Sequence, residues 1–475
     1  MTTPAQEYVE RLLDRIDQVQ AGENHVNAVC TRHPDALGQA ARLDAETEQG
    51  RSRGPLHGVP VLVKDNIDTH DLLTTAGSLA LADAPPPAKD AELVRRMRVA
   101  GLVVLGKTNL SEWANIRDEN SASGWSAYGG LTRNPYALNR SAGGSSSGSG
   151  AAVAAGLAPL AIGTETDGSI TCPASFNGCV GIKPTVGLVP TQGVVPVARS
   201  QDAPGPMAGT VREAAALLSV LAGDGRDGEV DYAAHAVDGR LAGKRIGVPR
   251  ATYWGYSHHA DTAAERAVSM LAKEGATIVD GTDLVSMQDF GGDDELLVML
   301  AELRTGLRDY LATRPGDVPR SLEDVVAFNT AHSDTELRHF GQSLFEQALS
   351  AAADGSPEYV EARARCVAAA REAGIDAVLR AHDLDALVTP SYAPACPIDL
   401  VNPEAHPGAC TQPTAMAGYP LVTVPTELAA GLPVAVSFWG TAGSEASLVE
   451  IAHGYEVVRD QVSGPVPAPT FPSFV

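Results

Sequence analysis

The chain is short of several things, and each shortage narrows what it can be. Of 475 residues only 35 are basic, and six of those are lysines, at positions 64, 89, 107, 183, 244 and 273. Against them stand 58 acidic residues, for a formal charge of −23. Nucleic acids are held through clustered Lys and Arg, so no nucleic-acid partner is expected. The six cysteines are Cys30, Cys172, Cys179, Cys366, Cys396 and Cys410. They form no CxxC pair, and packed, reduced thiols are the expectation. The twelve histidines show no HExxH or similar ligand spacing, so no metal and no organic cofactor are expected. Long apolar runs are missing too. The longest nearly apolar stretch, Ala151 to Ile162, is far below the roughly 20 residues that span a bilayer. Met1 to Gln20 lacks the basic start and apolar centre of a signal peptide. Its Val9, Leu12, Leu13, Ile16 and Val19 instead follow helical spacing. A cytoplasmic protein with no membrane partner is expected, a monomer or a homodimer.

What is present is a globular composition, 44% hydrophobic and 20% charged. From Leu56 to about Val220 the chain alternates short β-branched runs, glycine-rich loops and helical patterns. Val59 to Val63 reads as a buried strand ending at Lys64, Ala91 to Ala100 as a helix, and Leu102 to Leu105 as the next strand. This predicts an α/β fold with a largely internal sheet. Arg245 to Pro249 reads as another strand. Helical patterns then cover Asp261–Glu274, Asp294–Thr313, Ser321–Ala331, Thr335–Ala352 and Pro357–His382. Strands return at Leu384–Thr389 and Leu421–Val424. No repeat and no interdomain linker is evident. The expectation is one domain over 1–475, with a core of about 56–220 and 384–460. A helical block of about 255–382 is expected to cap its cleft, with the stretch Val325 to Leu344 over the substrate.

The most informative stretch runs from Ser141 to Thr185. Two glycine-serine clusters there are joined by a small-residue helix and an apolar strand. Such loops allow close backbone approach and can hold an anion or oxyanion on free N–H groups. Four readings compete. A flexible linker fits poorly between flanking apolar elements. Phosphate binding at Gly148-Ser149-Gly150 lacks both the third glycine of GxGxxG and the GK[ST] of a P-loop. A nucleophile elbow is matched literally by Gly144-Ser145-Ser146-Ser147-Gly148, but no Asp and His are marked to complete it. The fourth joins this segment to Lys64. A lysine at the end of so apolar a strand is desolvated, which lowers its pKa and suits it to act as a base toward serine. The plain alternative for Lys64 is an ion pair with Asp65 or Asp68.

Several motifs carry a resemblance. They are Gly58-Val59-Pro60-Val61-Leu62-Val63-Lys64-Asp65-Asn66, Gly106-Lys107-Thr108-Asn109, Gly143-Gly144-Ser145-Ser146, Gly163 to Pro173, and Gly181-Ile182-Lys183-Pro184-Thr185. In this order, with Ala417-Gly418-Tyr419-Pro420 and Gly431-Leu432-Pro433-Val434 further on, the chain resembles the amidase signature family of serine hydrolases. Ser111-Glu112-Trp113-Ala114-Asn115, Gly163 to Ser169 and Ala327 to Ser333 resemble the bacterial peptide amidases within it, which release ammonia from C-terminally amidated peptides.

The resemblance implies an α/β amidase-signature fold, a mixed central sheet covered by helices on both faces. It implies a catalytic triad of Lys64, Ser145 and Ser169. Ser169 would be the nucleophile, and Ser145, in a cis peptide, would relay a proton to Lys64. The backbone N–H groups of Thr166, Asp167, Gly168 and Ser169 would form the oxyanion hole, and Asn115 would contact substrate. The implied reaction is hydrolysis of a carboxamide, a C-terminal peptide amide, to the acid and ammonia through an acyl-enzyme. Another small-molecule or natural-product amide, or service as the amidase subunit of a tRNA-dependent amidotransferase, is the alternative. Some positions depart from the wider family. Asp167 stands where glycine is usual, Glu165 where aspartate is, and Thr171 where arginine is. Lys107 is expected to hold a loop and Lys183 to tie down the second glycine loop. Trp113 and Trp125 read as core or pocket wall, and Cys172 as packing.

Overall fold

Strands buried on both faces read as unbroken apolar runs, and Val61-Leu62-Val63 is such a run. In the computed structural model, which describes residues 4–22, 25–223, 230–405 and 408–474, it lies inside an eleven-stranded sheet. The strands are β1 (Val29–Arg32), β2 (Pro60–Lys64), β3 (Val103–Thr108), β4 (Leu160–Glu165), β5 (Val180–Lys183) and β6 (Ala203–Ala208). They continue with β7 (Arg245–Val248), β8 (Thr277–Asp280), β9 (Ala386–Pro390), β10 (Leu421–Ala429) and β11 (Leu432–Trp439). Their order across the sheet is β1-β3-β2-β4-β6-β5-β10-β11-β9-β7-β8. β3, β2 and β4 run parallel to one another, as do β9, β7 and β8. The other neighbours pair antiparallel, so the sheet is mixed, as expected.

Alternate side chains of each central strand enter different cores, as the two-residue period requires. Val61 and Val63 of β2, with Leu160 and Ile162 of β4, pack under the helices Glu92–Val99, Val211–Ala222, His258–Lys273 and Glu445–Ser463. Leu62 and Ala161, with Val103 and Leu105 of β3, face the other way. There they meet the helices Ala5–Gln20, Ala36–Glu48 and Ser147–Ala154. Helices therefore cover both faces. The apolar stripe of the first helix, Val9, Leu12 and Ile16, is what docks it. A third core joins the helices Asp293–Leu311, Leu322–Ala331 and Ser343–Ser350 to the loop bearing Trp113.

The structure differs from the sequence expectation at several elements. Thr335–Ala352 is not one helix. It breaks into Ser333–Glu336 and Ser343–Ser350, and the Arg117 guanidinium takes the Glu336 and Phe340 carbonyls that a longer helix would have used. Pro357–His382 splits at Gly374, whose φ of −102° and ψ of −111° leave the helical region. The segment 255–382 contains the edge strand β8, and its first helix, His258–Lys273, belongs to the main core. β10 runs well past Val424 and folds back into β11 through Ala430 and Gly431, both at positive φ, a two-residue hairpin turn.

Candidate active site

Parallel pairing of β2 and β4 sets Val63 beside Ile162. One step further, Lys64 therefore meets Thr164, one hundred positions away in sequence. Lys64 Nζ lies 2.7 Å from Ser145 Oγ, 2.8 Å from Thr164 Oγ1 and 3.2 Å from the Thr164 carbonyl oxygen. The side chain is 0% exposed, and burial holds its amine well below the usual lysine range, against the opposing pull of Glu165 and Asp202. Neither sequence neighbour pairs with it. Asp65 faces Lys107 at 3.7 Å, and Asp68 takes Arg314 and the Tyr310 hydroxyl. The amine is placed to donate to all three oxygens. Deprotonated, it would present a lone pair to the Ser145 hydroxyl instead.

Ser145 sits in the first glycine-serine loop, and the Gly144–Ser145 peptide is cis. Both glycines before it are there for space. A Cβ on Gly144 would lie 2.2 Å from Ser111 Oγ, and one on Gly143 2.9 Å from Cys172 Sγ. The loop is fastened to the second one, because the Ser146 N–H donates to the Ser169 carbonyl at 3.1 Å. Ser169 is 8% exposed and faces a cavity of about 330 Å³. Among the described residues its hydroxyl has no hydrogen-bond partner, so it is free to turn toward Ser145 or toward a ligand.

The loop from Thr166 to Ser169 leaves all four of its backbone N–H groups without an acceptor among the described residues. Unpaired amides beside a cavity are the raw material of an oxyanion hole. Two carboxylates hold the loop. Glu165 Oε2 accepts the N–H groups of Ile170 and Thr171, each at 2.8 Å, and the Thr171 hydroxyl at 2.9 Å. Asp202 accepts the Thr166 hydroxyl at 2.6 Å. Glu165 and Thr171, two of the positions that depart from the wider family, thus bond directly to each other. Gly168 adopts φ +78°, and a Cβ there would fall 2.1 Å from the Tyr392 hydroxyl.

Asn115 also lines the cavity. It ends a run of three left-handed non-glycine residues, Trp113, Ala114 and Asn115, at φ 51°, 57° and 72°. Each costs roughly 1–2 kcal/mol, so the turn persists only because its surroundings fix it. The Trp113 N–H bonds to the Ala76 carbonyl at 2.8 Å, and its ring packs edge-on against Phe345. The turn leaves Asn115 Oδ1 buried and unpartnered at the cavity. Trp113 and Trp125 are core residues rather than pocket wall. Cys172 packs with Phe176 and Tyr392 and also lines the cavity.

Lys107 holds a loop, through the Ile67 carbonyl and the Thr74 hydroxyl. Lys183 does not tie down the second glycine loop. Its amine reaches across to the Tyr419 and Thr414 carbonyls, because β5 pairs with β10, which follows that segment. The helical block contributes Met299 to the cavity lining, whereas residues 325–344 stand behind Trp113. Sequence reasoning missed Gln201, which reaches the Thr166 carbonyl, Tyr392, which stands against Gly168, and Glu295, which Gln201 and Gln412 both bond. Asp293-Asp294-Glu295 at a helix start carries the ordinary signal of a solvated first turn, so nothing marked Glu295. Among the described residues, His70, Asp71 and Asp90 could converge on a metal, but Arg98 already bonds both aspartates. No described helix is long and apolar enough to cross a membrane.

Comparison with known proteins identifies the family of the chain. Residues 7–449 match the family model named Amidase. The X-ray structure of native peptide amidase from Stenotrophomonas maltophilia superposes with a TM-score of 0.90 at 45% identity, covering 99% of this chain and 96% of that one. A putative amidase of Arthroderma benhamiae is 36% identical over 94% of this chain and 78% of its own length. One component chain of the glutamyl-tRNA(Gln) amidotransferase of Symbiobacterium thermophilum is 34% identical over 96% of this chain and 93% of its own length.

Proposed function

The chain belongs to the amidase family, with the amidase-signature fold, and on that premise we propose that this amide-hydrolysing enzyme releases ammonia from C-terminally amidated peptides. The observation that carries the reading is the contact of 2.7 Å between a fully buried lysine amine and Ser145, with Ser169 fastened alongside on the cavity. The 45% identity to a peptide amidase along nearly the whole chain supports the peptide substrate.

Neutral Lys64 accepts the Ser145 proton as Ser145 accepts that of Ser169. Ser169 Oγ attacks the carboxamide carbon, and the oxyanion that develops is held by the N–H groups of Thr166, Asp167, Gly168 and Ser169. The C–N bond then breaks, the proton returns through Ser145, and ammonia leaves an acyl-Ser169 ester. Water adds to this ester by the same relay and releases the acid and free Ser169. Asn115 Oδ1 accepts a backbone N–H of the bound peptide. Because the oxyanion hole uses main-chain groups, an aspartate at 167 in place of glycine does not disable it.

The test is ammonia release from an amidated dipeptide by the purified chain, with Ser169→Ala as control. Release by the unaltered chain alone supports the reading and its nucleophile. Release only when further subunits are added would point instead to an amidotransferase component. No release from a folded chain would reject the peptide substrate.

A further inference from the structure

The relay gives a place to the attacking serine, the proton and the oxyanion, but none to the leaving nitrogen. That nitrogen must take its proton from Ser145. In the tetrahedral adduct it therefore lies on the Ser145 side of the carbon, away from the oxygen held by the amides of 166–169. On that side two serines pack against the glycine before Ser145. A Cβ on Gly144 would lie 2.2 Å from Ser111 Oγ and 3.1 Å from Ser123 Oγ. The two hydroxyls differ in what they face. Ser111 is 0% exposed, and its Oγ accepts the Gly124 N–H at 2.9 Å. Ser123 is 6% exposed and lines the cavity. Among the described residues its hydroxyl has no hydrogen-bond partner, and its oxygen keeps accessible surface rather than being sealed in.

The backbone around Ser123 is fixed. The Ser123 N–H donates to Glu404 Oε2 at 2.9 Å, and the Trp125 N–H to the Ala122 carbonyl at 3.2 Å. Ser111, which holds Gly124, is itself tied to the relay loop, its N–H donating to the Ser145 carbonyl at 3.0 Å. The other hydroxyls on the cavity are engaged. Thr166 donates to Asp202, Tyr392 meets Thr411 at 3.3 Å, and Ser169 is the nucleophile. A primary carboxamide brings two N–H groups into this corner, and a buried N–H without an acceptor is costly. A serine oxygen has two lone pairs with which to accept.

We infer that Ser123 is a specificity-determining residue for the leaving group. Its oxygen accepts an N–H of the scissile carboxamide and keeps the nitrogen beside Ser145, which favours amides over esters of the same shape. The inference rests on the amide-hydrolase reading above. Its test compares an N-acetylated dipeptide amide with the corresponding methyl ester, which offers Ser123 no N–H. The kcat/KM of each is measured on the unaltered chain and on Ser123→Ala, so that the intrinsic reactivity of the ester cancels. One neutral hydrogen bond at the reacting centre predicts that the variant lowers the amide-to-ester ratio about fivefold. Ser123→Cys, which keeps the volume and weakens the acceptor, repeats the comparison should the alanine variant fold poorly. A ratio within about twofold of that of the unaltered chain overturns the inference even where both rates fall, because a merely structural serine slows both substrates alike. In that case continued turnover of the amide leaves the hydrolase reading standing. Turnover of neither substrate by the folded, unaltered chain overturns the peptide-amide reading, and the inference with it.

Discussion

Replacing Lys64 with methionine separates catalysis from stability. The amine touches three oxygens, and two of them have other donors. Thr164 Oγ1 keeps Asn66 Nδ2 at 3.0 Å, and the Thr164 carbonyl keeps the Ser146 hydroxyl at 3.1 Å. Only Ser145 Oγ is stranded, which costs about 1–3 kcal/mol. Removing a desolvated amine offsets part of that. A chain this long moves its unfolding midpoint by only about 1 °C per kcal/mol, so a shift of about 1–3 °C is expected. The rate has no such compensation. Without a base Ser145 cannot take the Ser169 proton, and kcat/KM should fall by about 10³-fold or more. The assay is ammonia release, with Ser169→Ala as the floor, beside a thermal melt. Activity within tenfold of the unaltered chain refutes the base assignment. A midpoint lowered by more than about 5 °C would make Lys64 a structural residue instead. The pH profile carries the same sign. The working form is the neutral amine, so activity is lost as pH falls through the depressed Lys64 pKa, and a flat profile from pH 5 to 9 contradicts the role.

Gly168→Ala places a Cβ 2.1 Å from the Tyr392 hydroxyl at a left-handed φ. It should lower kcat by about 10²-fold through the displaced amides, read by steady-state kinetics on a folded protein. Arg117→Met removes the cation between the buried carboxylates of Glu112 and Glu336, which fastens the cap to the 113–115 turn. An uncompensated buried charge costs about 3–5 kcal/mol in denaturant titration, and KM should rise as Asn115 loosens. Glu295→Gln alters the pH dependence of stability. The folded carboxyl binds its proton more tightly than the unfolded one, whose ordinary value is 4.5. Its contribution is therefore full below that value and lost as pH rises through about 8. The variant should flatten this decline, since the unpartnered Gln201 Oε1 can turn to accept the new amide.

Much of this molecule is legible in its sequence. Short apolar runs, glycine loops and the order of the motifs identify the mixed α/β fold and the residues from which a site is built. Lys64 at the end of Val61-Leu62-Val63 is visible as a desolvated amine, because burial of a short apolar strand is a local pattern. The partner of that amine is not local. Ser145 is 81 positions away and Thr164 is 100, and they meet Lys64 only because β2 pairs in parallel with β4 in one particular register. Nor could periodicity show that the Thr335–Ala352 pattern breaks where Arg117 takes two carbonyls, or that Lys183 would reach the 414–419 segment. Asp167 and Glu295 make the same point from the side of charge. As letters, an aspartate in a glycine loop and a glutamate at a helix start both read as solvated. Tertiary packing alone buried Glu295 to 3% exposure and half-buried Asp167, and burial then raised the pKa of both carboxyls.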